Sequence, residues 1–226
     1  DRWRFEGDAM RSILRVGGNA AIEQVGVRFG FFVYARIMFS LGTTLYAANQ
    51  ICMQLMNITF TFGDGLAVAA TALVGQNLGR SRADISMLYG KICQRYAVLI
   101  SAVLGVVIIV CRDAIAGLFI GEDTLNAGEV VANAARTLIV LAAMQPFQTS
   151  AVVLSGSLRG AGDNLYVAIV ATFCVSVMRP ALALLAVDVM HLGLTGAWLL
   201  SMSEFAVRVA LFYPRFAGGK WKNMKV

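Results

Sequence analysis

Apolar residues run in six long stretches along the chain, and short polar segments separate them. A helix needs about 20 mainly apolar residues to cross a hydrocarbon core of roughly 30 Å. The stretches are rich in Ala and Leu and lack the alternation of half-buried strands, so they predict helices. We therefore predict an all-α, polytopic membrane protein with six transmembrane helices, near residues 17–40, 44–74, 96–110, 130–154, 165–187 and 194–216.

The polar segments divide the chain into three predicted regions. Residues 17–216 form the six-helix transmembrane lobe, between a linker at 1–16 and a basic tail at 217–226. In the linker, apolar side chains such as Trp3 and Phe5 alternate with arginines, which is typical of an amphipathic helix at a membrane surface. A solvated linker helix is the alternative. Because the chain starts at Asp1, we expect it to begin inside a longer polypeptide.

Lysine and arginine predict the orientation. Six spans place both ends on one face, and positive charge collects on the cytoplasmic side of membranes. Of the 19 Lys and Arg, 13 lie on the face that carries the termini, so both termini are expected in the cytoplasm and the protein in the inner or plasma membrane. Those residues are Arg2, Arg4, Arg11, Arg15, Arg80, Arg82, Lys91, Arg95, Arg159, Arg215, Lys220, Lys222 and Lys225.

Composition excludes several classes of protein. Apolar residues are 58% and charged residues 14% of the 226 residues, and the mean hydropathy is +0.72. Soluble domains typically have about 25% charged residues, so a soluble enzyme or disordered chain is disfavoured. The net charge of +6 is explained by the lysines and arginines on the predicted cytoplasmic face, so no nucleic-acid partner is expected. The chain has four dispersed cysteines and one histidine and shows no catalytic motif, so we expect no metal, no cofactor and no enzymatic activity.

Ionisable residues inside the predicted spans mark a candidate site. Such groups are costly in lipid and usually face a bundle interior or a wet cavity. Glu23 lies deep in the first span, Arg179 in the fifth and Glu204 in the sixth. Glu204 and Arg208 are four residues apart and can pair on one helix face. These groups either line a polar path for an ion or charged substrate, or form interhelical pairs. Arg28, Arg36 and Asp64 are further charged residues within spans.

Uncharged polar residues extend the candidate cavity. Gln50, Gln54 and Asn57 fall near one stripe of the second span, because their spacings are four and three residues. Gln145 and Gln148 flank Pro146 in the fourth span, where a proline frees a backbone carbonyl. Interhelical hydrogen bonding is the alternative role for these amides. The sequence Gly63-Asp64-Gly65 interrupts the second span and predicts a broken helix, a hinge or a close helix contact.

Three stretches resemble the multidrug and toxic compound extrusion (MATE) transporters. The second span ends in a glycine-rich run over Gly65–Gly79 that closes with Val-Gly-Gln-Asn-Leu-Gly. Leu154–Asp163 is similar to the family's LxGxLRGxGD signature. Arg179-Pro180 and Leu192–Trp198 follow in the family's order. The order resembles the C-terminal six-helix lobe of a two-lobe, twelve-span transporter, whose N-terminal lobe would lie upstream or be supplied by a second copy.

The resemblance implies an antiporter that exports amphipathic, often cationic drugs by alternating access, driven by a proton or sodium gradient. It also implies that Glu23 corresponds to a glutamate that helps form a cation site in sodium-coupled members. At the position of a second acidic ligand this chain has Gln148, and Met144 stands at a nearby aromatic position. The predicted ion and substrate cavity comprises Glu23, Gln50, Asn57, Gln148, Arg179 and Glu204. The partners implied are small amphipathic drugs, membrane lipid and the N-terminal lobe.

Two other functions stay open at this stage. A lipid-linked oligosaccharide flippase of the same superfamily would need a larger, basic cavity, and Arg28, Arg36 and Arg179 are compatible with one. A membrane scaffold lobe without transport activity would not need ionisable groups at bilayer depth. Drug susceptibility with and without an ion gradient distinguishes the antiporter from both.

Overall fold

The computed structural model describes residues 24–120, 126–219 and 221, and every regular element in these ranges is helical. The predicted linker at 1–16 and most of the basic tail lie outside the described residues. We number the helices in chain order. They are α1 over 24–39, α2 Thr43–Gly79, α3 Ala83–Leu118, α4 Ala127–Gly160, α5 Asn164–Val189 and α6 Gly193–Ala217.

The all-α membrane architecture is confirmed. Five helices, α2 to α6, are long and apolar enough to cross a membrane. The helices extend beyond the predicted spans, because the polar residues that follow an apolar run continue the same helix. With 37 residues, α2 is about 55 Å long and exceeds the hydrocarbon core. The predicted polar turn over 75–94 is therefore mostly helix, with a short connection between Gly79 and Ala83.

Helix α4 lies at the centre of the lobe and packs against α2, α3 and α6. Glycine permits the closest of these approaches. An added Cβ on Gly156 would lie only 2.5 Å from the carbonyl oxygen of Ala67 on α2. Beside it, the Thr71 hydroxyl donates a hydrogen bond to the Gly156 carbonyl at 2.9 Å. Backbone contact and an interhelical hydrogen bond therefore join α2 to α4 at the same level.

Helix α2 continues without a break through Gly63-Asp64-Gly65. Gly63 is buried against Thr149 and Val152 of α4. Of the alternatives predicted for this segment, the structure shows the close helix contact. Gly26 and Gly30 of α1 also pack closely, against α5, where the Ser176 hydroxyl donates to the Gly26 carbonyl at 2.6 Å.

Helix α5 contains two π-helical turns, at Cys174–Met178 and Leu185–Val189, on either side of the short α-helical segment Arg179–Leu184. A π turn inserts an extra residue and rotates the side chains that follow it. Pro180 has no N–H for the helical ladder, which is compatible with an irregular turn just before it. Arg179 and Pro180, which lie between the two π-helical turns, are both buried.

An ion pair joins the α4–α5 turn to the end of α6. Gly162 has φ +87°, a conformation that favours glycine, and it lets the chain reverse before Asp163. The Asp163 carboxylate accepts a hydrogen bond from the Arg215 Nε of α6 at 2.7 Å. The Arg215 guanidinium also lies over the Tyr166 ring, 4.8 Å from its centroid. The turn and the end of α6 are thereby joined.

Candidate functional site

One exposed face of α2 carries a row of polar side chains. The exposed residues follow one another at spacings of four and three, so they share one face of the helix. We call this row the α2 polar stripe; it comprises Gln50, Gln54, Asn57, Thr61 and Asp64. Lipid offers no hydrogen-bond partners to such groups, and an ionisable group in lipid is costly. The stripe must therefore face water or another protein rather than hydrocarbon.

The other side of α2 packs into the lobe. Asn49 is adjacent in sequence to Gln50 but is buried, and its side-chain oxygen accepts a hydrogen bond from the Trp198 indole at 2.9 Å. Thr59 is likewise buried and accepts a hydrogen bond from the Gln145 amide of α4 at 2.7 Å. The amide of Gln145 therefore makes an interhelical hydrogen bond, which is one of the two roles predicted for it. Some polar residues of α2 thus form hydrogen bonds inside the lobe, and others lie on the exposed α2 polar stripe.

Two arginines share one buried glutamate in the lobe interior. The Glu204 carboxylate accepts a hydrogen bond from Arg179 of α5 through one oxygen. Through the other oxygen it accepts one from Arg208, one turn further along α6, at 3.2 Å. We call these three residues the Arg-Glu-Arg triad. The predicted pair between Glu204 and Arg208 is confirmed, and the structure adds Arg179 to it.

Aromatic rings enclose the triad. The Arg179 guanidinium lies 5.0 Å from the centroid of Phe31 and 5.3 Å from that of Phe205. The Arg208 guanidinium also lies 5.3 Å from the Phe205 centroid. Cation–π contacts of this kind stabilise a desolvated guanidinium. Even so, Arg179 Nε and Nη1 and Arg208 Nε have no hydrogen-bond partner within the described ranges. The triad therefore retains unused donors.

A cleft of about 490 Å³ lies between α2, α4, α5 and α6. Arg208 of the triad and Asp64 of the α2 polar stripe both line it, so the cleft connects the two polar features. Its other walls are mainly small or apolar. The lining residues are Asp64, Ala67, Val68, Thr71, Val152, Ser155, Gly156, Arg159, Val167, Ala171, Arg208 and Phe212.

The predicted cavity residues fall into two groups. Gln50 and Asn57 lie on the α2 polar stripe, whereas Gln148, Arg179 and Glu204 are buried inside the lobe. Glu23 lies outside the described residues. Gln148 is 1% exposed, and neither atom of its amide has a hydrogen-bond partner in the part of the chain that the structure describes. The described members of the predicted set thus lie partly on the exposed face of α2 and partly in the lobe interior.

Sequence reasoning missed the cleft and the role of Arg208 in it. The spacing of Glu204 and Arg208 already placed both on one face of α6, but Val152, Val167 and Phe212 carry no sequence signal for a cleft wall. The aromatic partners Phe31 and Phe205 are equally ordinary in apolar spans. These contacts depend on how four helices pack, which helix-local spacing does not encode.

Comparisons with known proteins agree with this architecture. Residues 20–185 match the MatE family. The chain belongs to the MatE family. It is 26% identical over 220 residues to a probable multidrug resistance protein NorM of Thermotoga maritima, covering 96% of this chain and 46% of that protein. A probable NorM of Pasteurella multocida is 30% identical over 210 residues, covering 91% of this chain and 44% of the relative.

A solved structure of a multidrug resistance MATE family transporter in an outward-facing conformation has the same fold. The TM-score is 0.83 at 18% identity, and the match covers 98% of this chain and 49% of that one. The chain therefore spans about half the length of the MatE relatives it matches. The MatE family is a family of transporters.

Proposed function

We propose that this chain is the C-terminal lobe of a multidrug exporter that works by cation antiport and alternating access. In this proposal an N-terminal lobe of the same transporter supplies the other half, and the substrate passes between the two. The coupling ion is a proton or sodium. Both termini lie in the cytoplasm, as the distribution of lysine and arginine indicates. The match to half of each relative's length supports the two-lobe arrangement.

The α2 polar stripe is the observation that carries the proposal. Five polar side chains on one exposed face of a membrane-spanning helix would be unfavourable against lipid. They become favourable where a second lobe encloses a water-filled path along the same face. The amides of Gln50 and Asn57 can then donate to and accept from varied ligands, and the carboxylate of Asp64 can attract a cationic group.

The coupling ion needs a carboxylate that is free to release it. Glu204 holds two arginines, so it is already committed to structural ion pairs. We propose Glu23 for this role, on its resemblance to the family's glutamate and its position in the first predicted span. The amide of Gln148 carries no charge and cannot replace the second acidic ligand. Coupling could then also use an acidic group of the N-terminal lobe.

Export of ethidium, an amphipathic cation, by the complete protein tests the proposal. In everted membrane vesicles we expect ethidium accumulation that depends on an imposed proton or sodium gradient. Replacement of Asn57 by Leu should reduce that accumulation several-fold, because the path loses an amide. The matched control is Ile58→Leu, which changes the neighbouring exposed apolar residue. Glu23→Gln should abolish the gradient-driven accumulation of ethidium, and unchanged accumulation in this variant would remove Glu23 from the coupling mechanism.

Two results would contradict the proposal. Accumulation that needs neither gradient would exclude antiport and favour a scaffold or a flippase. Equal accumulation in Asn57→Leu and Ile58→Leu would show that the α2 polar stripe does not line the path.

A further inference from the structure

Among the described residues, the Arg-Glu-Arg triad carries more positive than negative charge. Two guanidinium groups meet one carboxylate, and no other acidic side chain of the described residues pairs with either arginine. Arginine stays protonated in proteins, so the surplus cannot be removed by loss of a proton. A buried charge without a partner is costly, and a bound anion would offset that cost.

Only one member of the triad can present this charge to a ligand. Arg179 is 1% exposed, and Phe31 and Phe205 flank its guanidinium. Arg208 is 12% exposed at its side chain and lines the cleft. Its Nε has no hydrogen-bond partner within the described ranges, and its Nη2 is already held by Glu204. The Arg208 Nε is itself buried, so the partly exposed guanidinium, rather than this unused donor, brings the surplus charge to the cleft.

We propose that the cleft binds the oxyanion of an amphipathic molecule, with Arg208 as its ligand. A carboxylate, sulfonate or phosphate can accept charge-assisted hydrogen bonds from a guanidinium, and these are the stronger kind. Val68, Val152, Val167 and Phe212 supply apolar walls for the rest of the molecule. The volume of about 490 Å³ suits a drug-sized ligand. This inference rests on the proposed function and extends it, because the lobe then binds amphipathic anions in the cleft in addition to the cationic drugs of the export path.

Asp64 makes the proposal specific. It lines the same cleft and forms no ion pair with Arg208 or with any other arginine or lysine of the described residues. Its negative charge opposes a second anionic group, so a singly charged oxyanion at Arg208 is preferred over a dianion. Arg159 also lines the cleft and has interactions of its own. Removal of the Asp64 charge should therefore strengthen anion binding without touching the triad.

Equilibrium binding of 8-anilinonaphthalene-1-sulfonate, a fluorescent amphipathic sulfonate, tests the inference. The complete protein is purified in a neutral detergent and titrated without any ion gradient. Arg208→Gln should raise the dissociation constant roughly tenfold or more. Arg208→Lys keeps the charge and should have a smaller effect. Asp64→Asn should lower the dissociation constant about two- to fivefold. Arg136→Gln, at an exposed arginine of α4 that does not line the cleft, is the control and should change nothing.

Several results would overturn the inference. Unchanged affinity in Arg208→Gln would do so, as would an equal loss in Arg136→Gln. If Arg208→Gln does not yield folded protein, Asp64→Asn is the deciding variant, because it leaves the triad intact. Unchanged affinity for the sulfonate in Asp64→Asn would also exclude the site. If ethidium export proves independent of ion gradients while sulfonate binding still depends on Arg208, the proposed function fails and the oxyanion site stands.

The oxyanion could come from an exported solute or from a lipid headgroup. Displacement of the fluorescent sulfonate by taurocholate, a soluble amphipathic sulfonate, but not by dihexanoylphosphatidylglycerol would indicate a solute. Displacement by the short-chain phospholipid alone would indicate a headgroup, and displacement by both would indicate a site open to either. If neither compound displaces the probe, an Arg208 oxyanion site is excluded.

Discussion

Glu204 is the residue on which the charged interior of the lobe depends. Its two carboxylate oxygens each accept a hydrogen bond from a different arginine, on two different helices. In a low-dielectric interior the attraction between such groups is strong, but so is the cost of leaving one of them alone. A single fully buried carboxylate thus makes two charged residues tolerable at bilayer depth.

Glu204→Gln is expected to destabilise the protein strongly. The amide preserves the side-chain volume and removes the charge, so two guanidinium groups are left facing each other. Loss of one partner of a buried ion pair typically costs about 3–5 kcal/mol. Thermal unfolding in detergent should show a clear decrease in the midpoint temperature.

Asp188→Asn is the matched control for Glu204→Gln. Asp188 is an exposed acid near the end of α5, and no ion pair involving it occurs in the described part of the chain. Its replacement should change the free energy of unfolding by no more than about 0.5 kcal/mol. Equal midpoint temperatures of unfolding for the two variants would show that Glu204 does not neutralise the arginines.

At the scale of the helices, α2 and α4 are held by backbone contact. Gly156 of α4 faces Ala67 of α2, and Thr71 closes the same contact with a hydrogen bond to the Gly156 carbonyl. Small residues allow such approach in membranes, where packing and hydrogen bonds must replace the hydrophobic effect as the force between helices. The α2–α4 contact also sets the position of the cleft, since Ala67, Thr71 and Gly156 line it.

Gly156→Ala should push α2 away from α4. The new Cβ would lie 2.5 Å from the Ala67 carbonyl oxygen, a distance that real side chains do not adopt. Overpacking of this kind costs about 1–3 kcal/mol, to be measured as a lower unfolding midpoint in detergent. Gly65→Ala on α2 meets nothing within 4 Å and should be neutral or stabilise by up to about 1 kcal/mol. A larger loss at Gly65 than at Gly156 would contradict the packing argument.

For the molecule as a whole, the distribution of charge predicts the topology. The α2–α3 turn contains Arg80 and Arg82, and the α5–α6 turn contains no lysine or arginine. Positive charge is retained in the cytoplasm during insertion. The two turns are therefore expected on opposite sides of the membrane, with the first in the cytoplasm.

The reactivity of one introduced cysteine at a time measures this orientation. Met190→Cys in the α5–α6 turn should react with a membrane-impermeant maleimide in intact cells. Asp84→Cys at the start of α3 should react only after the membrane is permeabilised. The parent carries Cys111→Ser, because Cys111 is exposed whereas Cys52, Cys93 and Cys174 are buried. The reverse labelling pattern would show that the proposed orientation is wrong.

The sequence by itself determined the features that lie within one helix. Hydropathy predicted the helices because most of the apolar runs are contiguous and long enough to cross the bilayer. Spacings of three and four placed Gln50, Gln54 and Asn57 on one face and paired Glu204 with Arg208. A helix has a fixed 3.6-residue period, so these relations follow from residue numbers alone.

Only the tertiary structure decided which helices meet and at what level. Arg179 and Glu204 are 25 residues apart on different helices, and the π turns of α5 occur on either side of the Arg179–Leu184 segment. Gln148 is buried and Asp64 is exposed at the cleft, although both are single polar residues in apolar runs. Crossing angles, π turns and glycine contacts set such distances, because they depend on the complementary surfaces of several helices at once.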